Sequence, residues 1–240
     1  MRLAKTLILL LIGLILSINS FLLPFEAKAF DAAYYVDAFK ALNVKDTIGI
    51  SESALERVTV ALVDFIDDGS GDLTLKETVK GNEITFYNEK EQHHLEDIRL
   101  LAISARTFHL YLNLAMAVFA VLLLIITSNE TPRQRLLLFL KPFKVAALFS
   151  ISALGGLGAL YFIDFDWAFR RFHEIFFTND LWLLDPRTDR LIQLMPLDFF
   201  IQFTARWLIT TLIINLVFVS IGLILPKFIL KKRKNEPITF

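Results

Sequence analysis

Thr6–Leu23 reads TLILLLIGLILSINSFLL, an apolar run without a single charged residue. About 20 mostly apolar residues cross the roughly 30 Å hydrocarbon core of a bilayer as a helix, so this run predicts a membrane span. Three further runs meet the same criterion: Leu110–Ile126, Val145–Ile163 and Phe199–Leu225. The sequence therefore predicts an all-α polytopic membrane protein with four transmembrane helices.

The composition of the 240-residue chain supports a membrane protein and excludes several other classes. Apolar residues make up 55% of the chain although 21% of its residues are charged, so charges must be segregated from the apolar runs. The chain has no cysteine. A disulfide scaffold, a thiolate-ligated metal centre and a cysteine nucleophile are therefore excluded.

The charges outside the spans orient the chain. The N-terminus, the loop after the second span and the C-terminal tail together hold 11 basic and 2 acidic residues. Residues 24–100 hold 8 basic and 16 acidic residues, and residues 164–198 hold 4 and 7. Because basic loops stay in the cytoplasm, both termini are predicted inside and both larger polar segments outside.

The polar segments define the predicted organisation. Residues 24–103 read as a small extracellular α+β cap, with a helix capped by Ser53 and Glu56 and a hairpin around Lys80-Gly81-Asn82. Aromatic residues interleave with charges throughout 164–198, which predicts amphipathic pieces along the outer leaflet. In chain order we predict a transmembrane anchor (1–23), the extracellular cap (24–103), transmembrane helix 2 (104–127), a cytoplasmic loop (128–144), transmembrane helix 3 (145–163), an extracellular interfacial loop (164–198), transmembrane helix 4 (199–226) and a cytoplasmic basic tail (227–240).

Two further patterns bear on the spans. Ala27-Lys28-Ala29 matches a signal-peptidase site, so the first span has two interpretations, a retained anchor or a cleaved signal. The apolar run is longer than a usual signal core, which favours the anchor; the orientation of the other spans is the same in both cases. Gly155-Gly156-Leu157-Gly158 lies inside the third span, where small residues allow close helix packing.

Two external histidines are the candidate chemical groups. His94 and Asp97 are three residues apart, so on a helix a carboxylate can hold the imidazole in one tautomer, as a general base or nucleophile requires. His173 lies among phenylalanines in the second polar segment. On spacing alone, a solvated helix end for His94 and an interface anchor for His173 remain the simpler interpretations.

The order of these motifs resembles the bacterial lipoprotein intramolecular transacylase family of Gram-positive bacteria. The resemblance covers essentially the whole chain and is most specific from Phe172 to Pro196. The residues that carry it are His94–Arg99 (HLEDIR), Phe172–Pro186 (FHEIFFTNDLWLLDP) and Asp189–Ile192 (DRLI).

The resemblance implies an acyltransferase that acts on lipoproteins already diacylated at the N-terminal cysteine. The ester-linked acyl chain at the sn-2 glyceryl position moves to the α-amino group, which gives a lyso-form lipoprotein. By motif, His94 and His173 are the implied catalytic pair, with His94 favoured for attack on the ester or for amine deprotonation. Five residues are predicted to support them: Asp97, which orients His94, and Arg99, Arg106, Trp182 and Asp185.

Several expectations complete this interpretation. The active site is expected at the outer leaflet of the cell membrane, with the diacylated lipoprotein N-terminus and membrane lipid as partners and no nucleic acid. No cofactor or metal is expected, since amine and ester belong to one substrate. Two alternatives stay open: a non-enzymatic protein that binds an envelope partner, and a membrane lipid or ester hydrolase that uses the same histidines with water.

Overall fold

The computed structural model describes residues 2–234 and contains two compact units. The first unit comprises the residues up to Pro24, Phe108–Ala159 and the residues from Trp207 onward. The second unit comprises Phe25–Thr107 and Leu160–Arg206. The last residues of the predicted basic tail, 235–240, lie outside the described residues.

Helices dominate the described chain. Their bounds are α1 (Arg2–Ala29), α2 (Ala32–Ala41), α3 (Val44–Ile48), α4 (Glu52–Asp67), α5 (Glu89–Ile126), α6 (Pro132–Ile163), α7 (Phe165–Phe176), α8 (Arg190–Leu194), α9 (Leu197–Val219) and α10 (Leu225–Lys234). A π-helical turn, Ser220–Ile224, joins α9 to α10, and two strands, β1 (Lys76–Val79) and β2 (Asn82–Thr85), precede α5.

The predicted number of membrane spans is confirmed within residues 2–234. Four helical stretches are long and apolar enough to cross a bilayer: Arg2–Ala29, Glu89–Ile126, Pro132–Ile163 and Leu197–Lys231. These helices are longer than the apolar runs, since each also contains polar residues at one or both of its ends. Most of the segment predicted as the loop 128–144 is therefore the beginning of α6.

In the first unit, α1 is hydrogen-bonded through its side chains to the three other membrane helices. Buried polar groups within a bilayer require such partners, because lipid supplies none. The bonds are Ser17 Oγ to Ser150 Oγ of α6 (2.8 Å), Asn19 Nδ2 to Asn113 Oδ1 of α5 (2.8 Å) and Asn215 Nδ2 of α9 to Ser20 Oγ (3.1 Å). The first span is thus an integral part of this helical unit.

The close packing that the glycines of the third span allow is not formed there among the described residues. A Cβ built on Gly155, Gly156 or Gly158 meets no described atom within 4 Å. The close approach occurs at Gly13 of α1, where a Cβ would lie 2.6 Å from Cβ of Val145 and 2.9 Å from the Pro142 carbonyl oxygen. A glycine cluster shows that close packing is possible but not which helix face a neighbour covers.

The second unit has a hydrophobic core built by its short helices and the hairpin. Phe39, Leu55 and Leu62 are fully buried there, and the buried Tyr87 hydroxyl donates to the Val58 carbonyl oxygen at 2.8 Å. The hairpin forms as predicted, since Lys80 and Gly81 both have positive φ and close a two-residue turn.

The predicted cap of α4 is wrong by two residues. Ser51, not Ser53, is the N-cap, and its hydroxyl accepts from the Ala54 amide at 3.1 Å. Both serines can perform this role chemically. Val44 and Ile48 of the preceding helix and Ala54 of α4 are buried in the core of the second unit.

Candidate active site

His94 lies in the polar first part of α5, residues 89–103. Six of these residues are charged, so this part of α5 lies outside the membrane-spanning part predicted at 104–127. His94 is nevertheless only 4% exposed. The helix therefore turns this histidine toward the interior of the second unit.

His173 is held by the amphipathic helix α7. Asp164 caps this helix, and its carboxylate accepts from the Trp167 amide at 2.9 Å. Nδ1 of His173 lies 2.8 Å from the Phe169 carbonyl oxygen, one turn earlier. A carbonyl oxygen only accepts, so Nδ1 carries the proton and donates, and Nε2 of the neutral ring is a lone pair.

The structure brings the two histidines together. Their ring centroids are 6.0 Å apart with an angle of 38° between the ring planes. The ring of Phe177 contacts both, with its centroid 5.2 Å from that of His94 and 5.6 Å from that of His173. The two histidines, which are 79 positions and two predicted crossings apart in the sequence, therefore lie in one site within the second unit.

Aromatic rings surround His173 on several sides. The centroid of Phe169 lies 4.5 Å from that of His173, Trp182 lies at 5.1 Å and Phe172 at 5.5 Å. Only 9% of His173 is exposed. The imidazole is consequently packed in an apolar environment that excludes most water.

This burial keeps both histidines neutral. Desolvation and, to a smaller extent, the nearby His173 lower the pKa of His94 to about 4, while the Asp97 carboxylate acts in the opposite direction. Burial also lowers the pKa of His173, against the effect of its hydrogen bond to Phe169. At neutral pH each ring thus offers one lone pair and one N–H group.

Asp97 lies near His94 but is bonded elsewhere. Its Oδ2 accepts from Asn179 Nδ2 at 2.9 Å. The buried Nδ1 of His94 has no hydrogen-bond partner among residues 2–234. The predicted orienting bond from Asp97 to His94 is therefore not formed, and Asp97 acts on His94 through its charge.

Of the four other predicted supporting residues, one packs on the histidine pair and three are bonded elsewhere. Trp182 packs on His173, as described above. Arg99 donates to Glu96 at 3.4 Å and lies over the Phe65 ring, and Arg106 bonds Asp67 and lies over the Phe30 ring. Asp185 accepts from the Arg187 guanidinium at 2.6 Å. Among the contacts described for residues 2–234, none joins Arg99, Arg106 or Asp185 to either histidine.

Sequence reasoning missed Phe177, Asn179 and the Phe169 carbonyl. Phe169, His173 and Phe177 follow each other at intervals of four, which places them on one face of a helix. That spacing was a usable signal for the rings around His173. Asn179 and Asp97 are 82 positions apart, and no local pattern marks such a pair.

The site has no metal-binding arrangement in the described part of the chain. No three His, Asp or Glu side chains between residues 2 and 234 are placed to hold one ion. Two neutral imidazoles in an apolar pocket can take part in proton transfer or in nucleophilic attack.

Comparison with known proteins decides the family. The family model "Lipoprotein intramolecular transacylase Lit" matches residues 8–200. The chain belongs to the Lit family. It is accordingly a multi-pass membrane protein of an acyltransferase family, as its motifs suggested. The comparison with curated proteins gave no match.

Solved structures of Lit from Bacillus cereus share the fold. One is 19% identical, with a TM-score of 0.77, and the alignment covers 98% of this chain and 100% of that chain. A second, in which one histidine is replaced by arginine, is 18% identical with a TM-score of 0.68, covering 96% and 93%. A third, with a histidine-to-alanine replacement, is 18% identical with a TM-score of 0.68, covering 97% and 96%.

Proposed function

We propose that this Lit family member transfers the sn-2 acyl chain of a diacylglyceryl lipoprotein to the α-amino group of the same N-terminal cysteine. The observation that carries the proposal is the 6.0 Å separation of the His94 and His173 rings in an apolar pocket. Two neutral imidazoles at this spacing suit a reaction in which one proton leaves an amine and another reaches an alkoxide.

The reaction balances without an added reactant. The amine nitrogen attacks the ester carbonyl carbon, an N–C bond forms, and the C–O bond to the glyceryl oxygen breaks. One proton leaves the nitrogen and one reaches the glyceryl oxygen. Because donor and acceptor are tethered in one substrate, positioning alone can lower the barrier by several kcal/mol.

The hydrogen bond at His173 favours a division of roles opposite to that favoured from sequence. With Nδ1 donating to Phe169, Nε2 of His173 is the lone pair that accepts the amine proton. The Nδ1 atom of His94 is buried and has no hydrogen-bond partner among the described residues. The tautomer with its hydrogen on Nε2 therefore leaves a lone pair at Nδ1, and no buried N–H group of the ring is left without an acceptor. His94 then hydrogen-bonds through its Nε2–H to the departing glyceryl oxygen, which takes up the proton that His173 accepted from the amine, so both rings end the reaction neutral.

The location at the outer leaflet is part of the same proposal. It is supported by the acidic excess of 24–100 and 164–198 and by the basic residues at the other ends of the spans. Helix α7 exposes Trp167, Ile175 and Phe176, side chains suited to the surface of a lipid leaflet.

The test is to express His94→Ala and His173→Ala variants in a host that lacks the enzyme and to weigh lipoprotein N-termini by mass spectrometry. The control is His93→Ala, because His93 is the exposed neighbour of His94. We expect lyso-form product from the unmodified enzyme and the control, and only diacylated lipoprotein from the two variants.

Other outcomes distinguish the alternatives. Lyso product in both histidine variants contradicts the proposal. Free fatty acid without an N-acylated cysteine identifies a hydrolase that uses the pair with water. An envelope-binding protein instead tolerates both alanines and loses function only when the surface of the second unit is changed.

A further inference from the structure

A buried carboxylate next to the site has no part in the proton transfers described above. Glu91 lies in the first turn of α5 and is fully buried. A buried carboxylate is strongly destabilising unless its oxygens accept hydrogen bonds. The bonds that Glu91 makes therefore indicate why a charge is present in this core.

Glu91 joins the beginnings of two helices. Its Oε2 accepts from the Asn88 amide at 2.7 Å, while Asn88 Oδ1 accepts from the Glu91 amide at 3.0 Å, so the pair caps α5 reciprocally. Its Oε1 accepts from the Leu191 amide in the first turn of α8 at 2.5 Å. Asp189, the N-cap of α8, makes no side-chain cap of its own.

Asp189 strengthens the same junction. It is 7% exposed, and its Oδ1 accepts from Asn88 Nδ2 at 3.1 Å while its Oδ2 accepts from the Asp185 amide at 2.8 Å. We call Asn88, Glu91, Asp189 and Leu191 the helix-start junction. It fixes the end of the loop between α7 and α8 to the first turn of α5.

The junction is placed to control the histidine pair. His94 follows Glu91 by three residues, so it lies about one turn further along the same side of α5. The loop that ends at the junction begins after α7 with Phe177 and carries Trp182, and both rings contact His173. One carboxylate thus connects the helix of His94 to the segment that packs on His173.

We propose that Glu91 is a positioning residue that sets the geometry of the two histidines through the helix-start junction. The inference rests on the proposed function. A carboxylate suits the role because it presents two acceptor oxygens and no donor to two amide N–H groups. The isosteric Gln would turn an NH₂ group toward one of these amides.

The test compares Glu91→Gln with Glu89→Gln, purified and assayed with a diacylglyceryl lipopeptide. Glu89 is exposed in the same turn of α5, so the control removes the same charge from the same helix. We expect Glu91→Gln to lower kcat roughly 10- to 100-fold, the range expected for a displacement near 1 Å, with KM within about twofold of the unmodified enzyme. We expect Glu89→Gln to keep the kcat of the unmodified enzyme.

Each result has a defined meaning. An unchanged kcat in folded Glu91→Gln, or a loss expressed wholly in KM, overturns the inference. If Glu91→Gln does not fold, Asp189→Ala is judged by the same criterion. Assaying His94→Ala and His173→Ala in parallel separates the two proposals: activity in those variants overturns the proposed function, whereas inactive histidine variants beside a fully active Glu91→Gln overturn only the positioning role.

Discussion

The Nδ1–H group of His173 donates to the carbonyl oxygen of Phe169 at 2.8 Å, so the helix that carries this histidine also fixes its tautomer. A side-chain partner could be lost by mutation, but a carbonyl is present whatever residue occupies position 169. The remaining nitrogen, Nε2, is therefore held as a lone pair at neutral pH, which is the state a general base needs.

Replacing His173 by Asn tests the hydrogen bond to Phe169 separately from proton transfer by the imidazole. The Asn amide NH₂ can take the place of Nδ1 and donate to Phe169, whereas the longer Gln places its amide nearer Nε2. We expect both variants to lose about 10²- to 10⁴-fold in kcat, since neither amide accepts a proton. We expect Asn to keep a melting temperature closer to that of the unmodified enzyme. Turnover by either variant near the original rate contradicts the base role.

Both histidines should remain neutral in mildly acidic solution. Burial lowers the pKa of His94 to about 4 and holds the pKa of His173 below its ordinary value. At pH 6.5 the ring signals of both residues in histidine-labelled protein should therefore be mainly those of neutral imidazole, by NMR in detergent micelles. His94→Gln and His173→Gln assign the signals. Half-protonation of either ring at or above pH 6.5 contradicts the burial argument.

The same pKa shift makes folding stability depend on pH. An unfolded chain protonates His94 near pH 6.5, whereas the folded protein resists protonation down to about pH 4. The unfolded state therefore binds more protons in this window, and stability falls as pH decreases from about 6.5 to 4. The loss from His94 is on the order of 3 kcal/mol at the lower limit. Thermal unfolding of His94→Gln should show a weaker pH dependence over this range.

Packing of the Trp182 ring against His173 affects the pKa of this histidine. Its ring lies 5.1 Å from the imidazole and excludes water from that side. Trp182→Ala should raise the pKa of His173 toward its ordinary value and lower kcat, because the charged form regains hydration. Trp182→Phe keeps an apolar ring and should stay nearer the unmodified enzyme in both measurements. An unchanged His173 titration in Trp182→Ala would show that the other rings suffice.

The membrane architecture was predictable because the free energy of transferring apolar residues into hydrocarbon dominates it. Transfer of Thr6–Leu23 and the three similar runs into hydrocarbon is favourable whatever the rest of the chain does. The hairpin was also predictable, because Lys80-Gly81 is a local turn signal. The start of α4 was not, because Ser51 and Ser53 can both act as an N-cap and the residue type alone does not distinguish them.

The site was predictable only through its motifs. Spacing identified His94 and Asp97 as a pair, yet in the structure Asp97 binds Asn179, 82 positions away. Glu91 looks like an ordinary first-turn acid, and its bond to the Leu191 amide spans 100 positions. Such contacts are made by the folded second unit, and no local period in the sequence encodes them.

Gly13 and Gly156 provide a matched test of packing in the first unit. A methyl group at Gly13 meets Val145 Cβ at 2.6 Å and the Pro142 carbonyl oxygen at 2.9 Å, whereas a methyl group at Gly156 meets no described atom within 4 Å. Gly13→Ala should therefore push α1 away from α6 and destabilise the protein by about 1–3 kcal/mol, as overpacking does. Gly156→Ala should be neutral or slightly stabilising, because alanine favours the helix. Thermal unfolding in one detergent compares the two variants directly. Equal stability of both would mean that α1 and α6 are not packed closely at Gly13.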